Sequence, residues 1–316
     1  MTDYPAGDRT GSMTAEMASP TTIPIVTVVI PTRDRRELLT RAIRSVLDQT
    51  ISAVEIIVVD DASESDLGLK EAGLAERLVQ VRNPVAVGAQ QSRLIGTRMA
   101  QGQFVALLDS DDWWRRDKLE KQLAVAAAQP EAFVSCRVTV SKGSLRKDAP
   151  WRPLKEGERV EDFLYVARGM LQTSTVLAER NTMISLLEQS AGYNVHNDTM
   201  LFLEAQKRGI EIIQMAEPLA FFDDNPRPDR ISYDVQRVTA AMNWFNNVSS
   251  GWSVEARKGF MLTDMVSRYV NVGQRGKALN CLLRAWHPSL SQKLYFRQIG
   301  YVAFNGSPTR FFRRKV

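Results

Sequence analysis

Residues 104–114 read FVALLDSDDWW: five apolar residues run straight into Asp109, Ser110, Asp111 and Asp112, then into two tryptophans. An unbroken apolar run of this length is the pattern of a strand buried on both faces. Carboxylates at the end of such a strand repel one another and are costly to desolvate unless something positive joins them. A divalent cation fits that need, since Mg2+ and Mn2+ take carboxylate oxygens, keep several waters and bind phosphates. The stretch lacks the glycine and the distal glutamate of a calcium loop.

Two further polar clusters follow apolar runs. IVTVVI (25–30) leads into Pro31-Thr32-Arg33-Asp34, and EIIVV (55–59) leads into Asp60-Asp61. Between the runs lie segments of helical spacing. One holds Leu38, Leu39, Ala42, Ile43, Val46 and Leu47, with Thr32 or Asp34 as its cap. Another spans about 89–101, closed by Gly102, and a third starts after Asp117. RLVQVR (77–82) reads as one more strand. Repeated strand–helix–strand units predict a mostly parallel, Rossmann-like sheet flanked by helices. In such sheets ligands bind at the carboxyl ends of the strands, so three polar clusters on that edge make a site.

Beyond Pro130 the pattern weakens. Strands are expected over 131–141, 171–179 and 210–215, a loop over 141–158, and a helix over 196–209 capped by Asn197 or Asp198. From about Tyr233 the spacing is helical. The expected organisation is a disordered tail over 1–22, an α/β domain over 23–225 and a helical basic extension over 226–316.

Composition narrows the function. No GxGxxG turn follows the first strand and no GxxxxGK[ST] occurs, which argues against dinucleotide-binding and P-loop proteins. Two cysteines make neither a disulfide framework nor a zinc site. No apolar run has the length of a membrane span and no signal peptide is evident, so a cytoplasmic location is expected. The net charge is +5, but residues 265–316 hold ten Lys or Arg and no acid, leaving −5 on residues 1–264. Leu294, Tyr295, Phe296, Tyr301, Phe304, Phe311 and Phe312 interleave with those cations, a composition suited to an anionic membrane surface.

VTVVIPTRDR, EIIVVDDAS and GQFVALLDSDDWW, in this order and spacing, resemble glycosyltransferase family 2, over roughly residues 25–225. The resemblance implies the GT-A fold and an inverting, metal-dependent transfer of sugar from a nucleoside-diphosphate sugar, most simply a UDP-sugar. It implies a saccharide or lipid-linked saccharide acceptor in bacterial polysaccharide assembly, Mg2+ or Mn2+ as cofactor, peripheral placement at the inner face of the membrane, and no nucleic-acid partner. By position, Pro31, Thr32 and Arg33 would line the nucleoside pocket, Asp61 would accept from the base, and Arg93 would lie close to the nucleotide. Asp109, Ser110 and Asp111 would meet the ribose, the metal and the diphosphate, with Asp109 and Asp111 at the metal. Asp198 would be the general base, although Asn197 stands where the family has a glutamate. Arg230 and Ser232 would close over the phosphates.

Simpler roles stand beside these. Asp109 to Asp112 could be a solvated turn, Asp198 only a helix cap, Asp60 a turn-former, Arg93 a surface charge, and Trp113 and Trp114 packing residues. A sugar-phosphate nucleotidyltransferase would need a glycine-rich loop where PTRDRREL stands. A catalytically inactive scaffold rests on Asn197 alone.

Overall fold

The computed structural model describes residues 24–303 except 191, 194 and 226–234. The chain runs β1 (Val26–Thr32), α1 (Arg36–Leu47), β2 (Val54–Asp60), β3 (Val79–Arg82), α2 (Ala89–Met99), β4 (Phe104–Leu107), β5 (Trp113–Trp114), α3 (Lys118–Ala128), β6 (Phe133–Lys142) and β7 (Leu145–Ala149). It continues through α4 (Val160–Tyr165), β8 (Leu177–Glu179), α5 (Arg180–Ser190), α6 (Asn197–Lys207) and β9 (Ile212–Asp223). Helices α7 (Val235–Val248), α8 (Val254–Phe260), α9 (Val266–Asn271), α10 (Arg275–Arg284) and α11 (Gln292–Ala303) complete it. The proposed lid residues Arg230 and Ser232, the N-terminal tail and the last thirteen residues lie outside the described set.

The strands form one nine-stranded sheet in the order β3-β2-β1-β4-β8-β6-β9-β5, with β7 hydrogen-bonded to β6. The half β3-β2-β1-β4 is parallel, as the alternation of strands and helices requires. The other half is mixed. β8 runs antiparallel to β4 and β6, β5 antiparallel to β9, and β6 parallel to β9 through a bulge at Cys136–Val138. Helices α1 and α3 cover one face around Val28, Ile30, Ile43 and Leu119, and α2, α5 and α6 cover the other around Val29, Val105, Leu187 and Phe202. The later helices build a separate cluster on Trp244, Trp252 and Phe260, which also takes in Tyr165, Val195 and Met200.

Several local expectations change. β1 does not stop at Pro31 but runs to Thr32. Its pairing with β4 ends at Val29, so Pro31 has no strand neighbour on the β4 side, and a missing N–H is tolerated there. The cap of α1 is Arg35, without a side-chain bond, rather than Thr32 or Asp34. Gly102 is not a left-handed helix stop, because α2 ends at Met99. A Cβ at Gly102 would stand 2.6 Å from the Thr27 amide, so glycine is there to let the turn cross β1. His196, left-handed at φ 56°, precedes α6 in place of Asn197 or Asp198. Part of the loop expected over 141–158 is the hairpin strand β7.

Lys118, wholly buried at the start of α3, lies 3.8 Å above the Trp114 ring and donates to Gln122 Oε1 at 2.5 Å. Burial brings its ammonium down from 10.5 to about 8 and takes the neighbouring Cys136 thiol up from 9.0 to about 11. Between pH 8 and 9 the unfolded chain keeps a lysine proton that the folded chain has lost, so stability rises with pH. Above pH 9 the unfolded cysteine ionises first, and its contribution opposes that rise. Lys118→Met is expected to gain on the order of 2–3 kcal/mol at pH 7 and to lose the rise between pH 8 and 9, as read from urea unfolding midpoints.

Candidate active site

The carboxyl ends of β1, β2 and β4 bring the expected residues to one edge of the sheet. Four described non-glycine residues have positive φ, and three of them border this region: Asp34 after β1, Ala62 after β2 and His196 before α6. The loops after β1 and β2 are laced together. Asp34 N donates to Ser63 Oγ at 2.9 Å, and Asp34 Oδ1 accepts from Glu64 N at 2.7 Å. Thr32 is buried with its hydroxyl oxygen unpaired, whereas Arg33 is exposed beside Asp34.

Asp60 and Asp61 divide their work. Asp60 is wholly buried, accepting from Ser63 N at 2.9 Å and from Arg82 Nη1 at 3.0 Å. Asp61 accepts from Asn83 Nδ2 at 3.0 Å and from the amides of Val87 and Gly88, both at 2.8 Å. Burial alone would raise the Asp61 carboxyl, but these bonds outweigh it and hold the group below its ordinary value. Asp61 is thus the clasp that ties β2 to the loop entering α2.

After β4, oxygens of Asp109, Asp111 and Asp112 lie within 4.8 Å of one another. The first two are half-buried. Asp112 is 1% exposed, and its oxygens accept from Ser174 Oγ at 2.5 Å and from Asp223 N at 3.1 Å. Burial first, then the charges of Asp111 and Asp109, push the Asp112 carboxyl well above its ordinary value. Ser110, 3% exposed, lies between the acids. Hard oxygen donors this close together could hold a divalent cation, and Asp112 is also tied to Ser174 and Asp223.

Arginines answer the acids. Arg93 on α2 is 4% exposed and binds Asp109 Oδ1 through Nη2 and Gln90 Oε1 through Nη1 at 2.9 Å. It is therefore no surface charge. Burial disfavours its guanidinium, but Asp109, Asp198 and Asp111 outweigh that and raise it above its ordinary value. Arg35 Nη1 reaches Asp111 Oδ2 at 3.1 Å, and Arg41 Nη2 reaches the Asp111 carbonyl at 2.5 Å and Asp223 Oδ2 at 3.0 Å. Arg41 also lies 4.0 Å over Trp113, whose other neighbour is the stacked ring of Phe221, 5.0 Å away. Trp114 is buried and donates its indole N–H to Ser174 O at 2.7 Å.

Asp198 stands in the first turn of α6 and accepts from Thr173 Oγ1. Burial, then the charge of Asp109, raise its carboxyl above the ordinary value, against the pull of Arg93 and Thr173. Asn197 lies beside it with a buried, unpaired Oδ1. Thr173 and Ser174 belong to a single helical turn, Thr173–Thr175, where the sequence led us to expect continuous strand. Ser174 also accepts from Asp109 N at 3.1 Å, so this turn joins the acid loop to α6. Arg35, Arg41, Thr173, Ser174 and Asp223 were not singled out from sequence, and Asp112 was named there only as part of the acid run. The available signal was charge: buried acids demand counter-charges, and TRDRRELLTR supplies them.

The Asp61 clasp is open to test. Its stabilisation is fully present above 3.8 and is lost as pH falls through the lowered folded value. Asp61→Asn is expected to cost about 1–3 kcal/mol in urea unfolding at pH 7. The gap to wild type should close in acid.

Known proteins share part of this sequence and this fold. The family model for glycosyl transferase family 2 matches residues 27–181. The amylovoran biosynthesis glycosyltransferase AmsB of Erwinia amylovora is 28% identical over 204 residues, 61% of this chain and 67% of that protein. The Escherichia coli UDP-Glc:alpha-D-GlcNAc-diphosphoundecaprenol beta-1,3-glucosyltransferase WfgD is 33% identical over 111 residues, 35% of this chain and 44% of its own length. Among solved structures, S. aureus TarS 1–349 with UDP-GlcNAc superposes with a TM-score of 0.59 at 14% identity, covering 89% of this chain and 88% of that one. The Pyrobaculum calidifontis mannosyltransferase PcManGT with GDP-Man and Mn2+ gives 0.56 at 19% identity, covering 94% and 86%. These two structures bear on the fold alone. With the sheet and the matched stretch in agreement, residues 27–181 form a glycosyltransferase family 2 domain and the chain has the GT-A fold.

Proposed function

We propose that this glycosyltransferase moves a sugar from a nucleoside-diphosphate sugar, a UDP-sugar first, to a hydroxyl of a saccharide or lipid-linked saccharide, with inversion, in polysaccharide assembly. The observation that carries the reading is the convergence of Arg93, Asp109, Asp111 and Asp198, from α2, the loop after β4 and α6. Thr32, Arg33 and Asp61 lie on the adjoining strand ends, where a nucleoside would rest. The names of WfgD and of the TarS complex mention UDP-sugars, and WfgD's name gives a diphosphoundecaprenol-linked acceptor.

Asp109 and Asp111 would hold Mg2+ or Mn2+, which stabilises charge on a departing diphosphate. Arg93 binds Asp109 and orients it. Thr173 fixes the Asp198 carboxylate, which takes the proton of the acceptor hydroxyl as that oxygen attacks the anomeric carbon. A raised carboxyl pKa makes a stronger base but requires a higher pH to ionise. The rate therefore falls as pH drops through a value above 3.8. The inactive-scaffold reading has little support, because Asn197 breaks none of the bonds that hold Asp198.

For membrane contact the described part of the basic segment is selective. Arg268 is held by Asp264, Leu294 is buried, and Tyr295 and Tyr301 donate their hydroxyls to Leu282 O and Asn271 Oδ1, so these are engaged within the fold. Leu279, Leu283 and Trp286 on and just after α10 and Phe296 on α11 are exposed, and so are Arg275, Lys277, Arg284 and Lys293. No described helix is long and apolar enough to cross a membrane. This surface suits adsorption to anionic lipid.

Melting curves with UDP, GDP, TDP, CMP and ADP, each with and without Mn2+, test the donor. We expect one nucleotide to stabilise the protein only with Mn2+, by about 2.7 kcal/mol at a hundredfold excess over its dissociation constant. Asp111→Ala is expected to abolish that response. Asp198→Asn is expected to keep it while slowing transfer on the order of 10²–10⁴-fold and flattening the acid limb. Wild-type transfer rates in both variants would overturn the assignment. Leu283→Glu/Trp286→Glu is expected to abolish sedimentation with anionic liposomes while leaving the nucleotide response unchanged. Undiminished sedimentation would remove the membrane surface from this reading.

A further inference from the structure

Gln90, in the first turn of α2, is 4% exposed, and Ser190, the last residue of α5, is wholly buried. Gln90 Nε2 donates to Ser190 Oγ at 2.5 Å, and Ser190 gives its own proton to the Leu186 and Leu187 carbonyls, at 2.9 and 3.1 Å. Gln90 Oε1 accepts from Arg93 Nη1 at 2.9 Å, and Arg93 Nη2 binds Asp109 Oδ1. Residues of α5, α2 and the loop after β4 thus form one line of hydrogen bonds that ends in the acid loop.

The line has a fixed sense. The Ser190 hydroxyl is committed as a donor to the carbonyls of α5, so toward Gln90 its oxygen accepts. The amide must therefore turn its N–H groups to Ser190 and its oxygen to Arg93. Reversed, it would set N–H against N–H. Buried donors left without acceptors are costly, so the side chains hold one another in register. A neutral amide also takes one arm of the guanidinium without competing for its charge, whereas a carboxylate at this position would draw Arg93 away from Asp109.

The consequence falls on Asp109. An unrestrained guanidinium takes both oxygens of a carboxylate in a paired fork. Here Nη1 is occupied by Gln90, and the buried Nε has no hydrogen-bond partner among the described residues. Arg93 holds Asp109 through one nitrogen on Oδ1, and among the described residues Oδ2 has no hydrogen-bond partner. Asp109 is one of the three acids whose oxygens gather within 4.8 Å.

We propose that Gln90 is a positioning residue for the metal site: by occupying one arm of Arg93 it keeps the grip on Asp109 single and leaves Asp109 Oδ2 open to a divalent cation. This rests on the metal-binding part of the reading above and adds the residue that tunes it. Gln90 acts through Arg93 alone. Without the amide, Arg93 closes on both oxygens of Asp109 and the cation loses a ligand.

The test is Mn2+ binding to the full chain without nucleotide, read from the paramagnetic resonance of the unbound ion. Gln90→Leu is expected to bind Mn2+ about tenfold or more weakly than wild type. Ser190→Ala, which frees the amide to turn, is expected to weaken binding in the same direction but less, and it gives the reading should Gln90→Leu not fold. In an Arg93→Met background Gln90→Leu is expected to change the affinity by less than about twofold, since no guanidinium is left to restrain. Gln214→Leu is the comparison for stability alone. Gln214 is a 6% exposed residue of β9 that accepts from Leu154 N at 2.8 Å and donates to Met170 O at 3.2 Å. Its loss is expected to lower the melting temperature and leave Mn2+ affinity unchanged. The inference is overturned if Gln90→Leu and Ser190→Ala both bind Mn2+ as wild type does, or if Gln90→Leu weakens binding equally with and without Arg93. Wild type that binds no Mn2+ would overturn it together with the metal site. Wild-type binding that neither variant alters would leave the metal site standing and remove only the role of Gln90.

Discussion

One buried guanidinium makes the acid edge of this sheet tolerable. Asp109, Asp111, Asp112 and Asp198 converge from β4 and α6, and four carboxylates brought together in a partly dehydrated space would protonate or push apart. Arg93 lies among them at 4% exposure, bound to Asp109 and attracted by Asp198 and Asp111. Around it the remaining groups sort by how much positive charge reaches them. Asp112 is relieved by Ser174 and a backbone amide rather than by an ion pair, and its carboxyl is pushed well up. Asp198, with Arg93 only as a distant attraction, is pushed up too. A ligand cation would complete a balance that Arg93 starts.

The C-terminal helices extend this arrangement. They form their own core around Trp244, Trp252 and Phe260, yet that core includes Tyr165 of α4 and Val195 and Met200 at either side of the Asp198 turn. His196, which begins α6, stacks on Trp244 with ring centroids 4.3 Å apart. Gly259 lets α8 approach so closely that a Cβ there would stand 2.3 Å from the Tyr165 carbonyl oxygen. The later helices therefore hold in place the turn that carries Asp198.

The parallel half of the fold was legible because β1, β2 and β4 are largely apolar runs, β3 alternates as Val79-Gln80-Val81-Arg82, and each helix has a clear face. Its polar strand ends were legible for the same reason: charged residues directly after buried runs have few structural explanations. The mixed half was harder. β8 is three residues long, and β9 contains Pro218 and the polar residues Gln214 and Glu217, so neither shows a clean period. The Thr173–Thr175 turn reads as strand because β-branched residues favour strands, while its hydroxyls are used instead on Asp198 and Asp112. Arg35 and Arg41 were missed because an arginine on a helix beside other arginines looks like a solvated face. Only the carboxylates opposite identify it as a partner.

The bracing of Asp112 has a consequence for how the molecule comes into being. Its hydrogen-bond partners lie 62 and 111 positions further along the chain, at Ser174 and Asp223, whereas the Arg93 that steadies Asp109 precedes it by 16. A nascent chain that has emerged only through α3 already holds the nucleoside-side strands and every acid of the loop, but not the groups that fix the loop's shape. The site is therefore finished only when β9 closes the sheet at Asp223. A ribosome halted earlier would leave a protein with the motif and without the machinery.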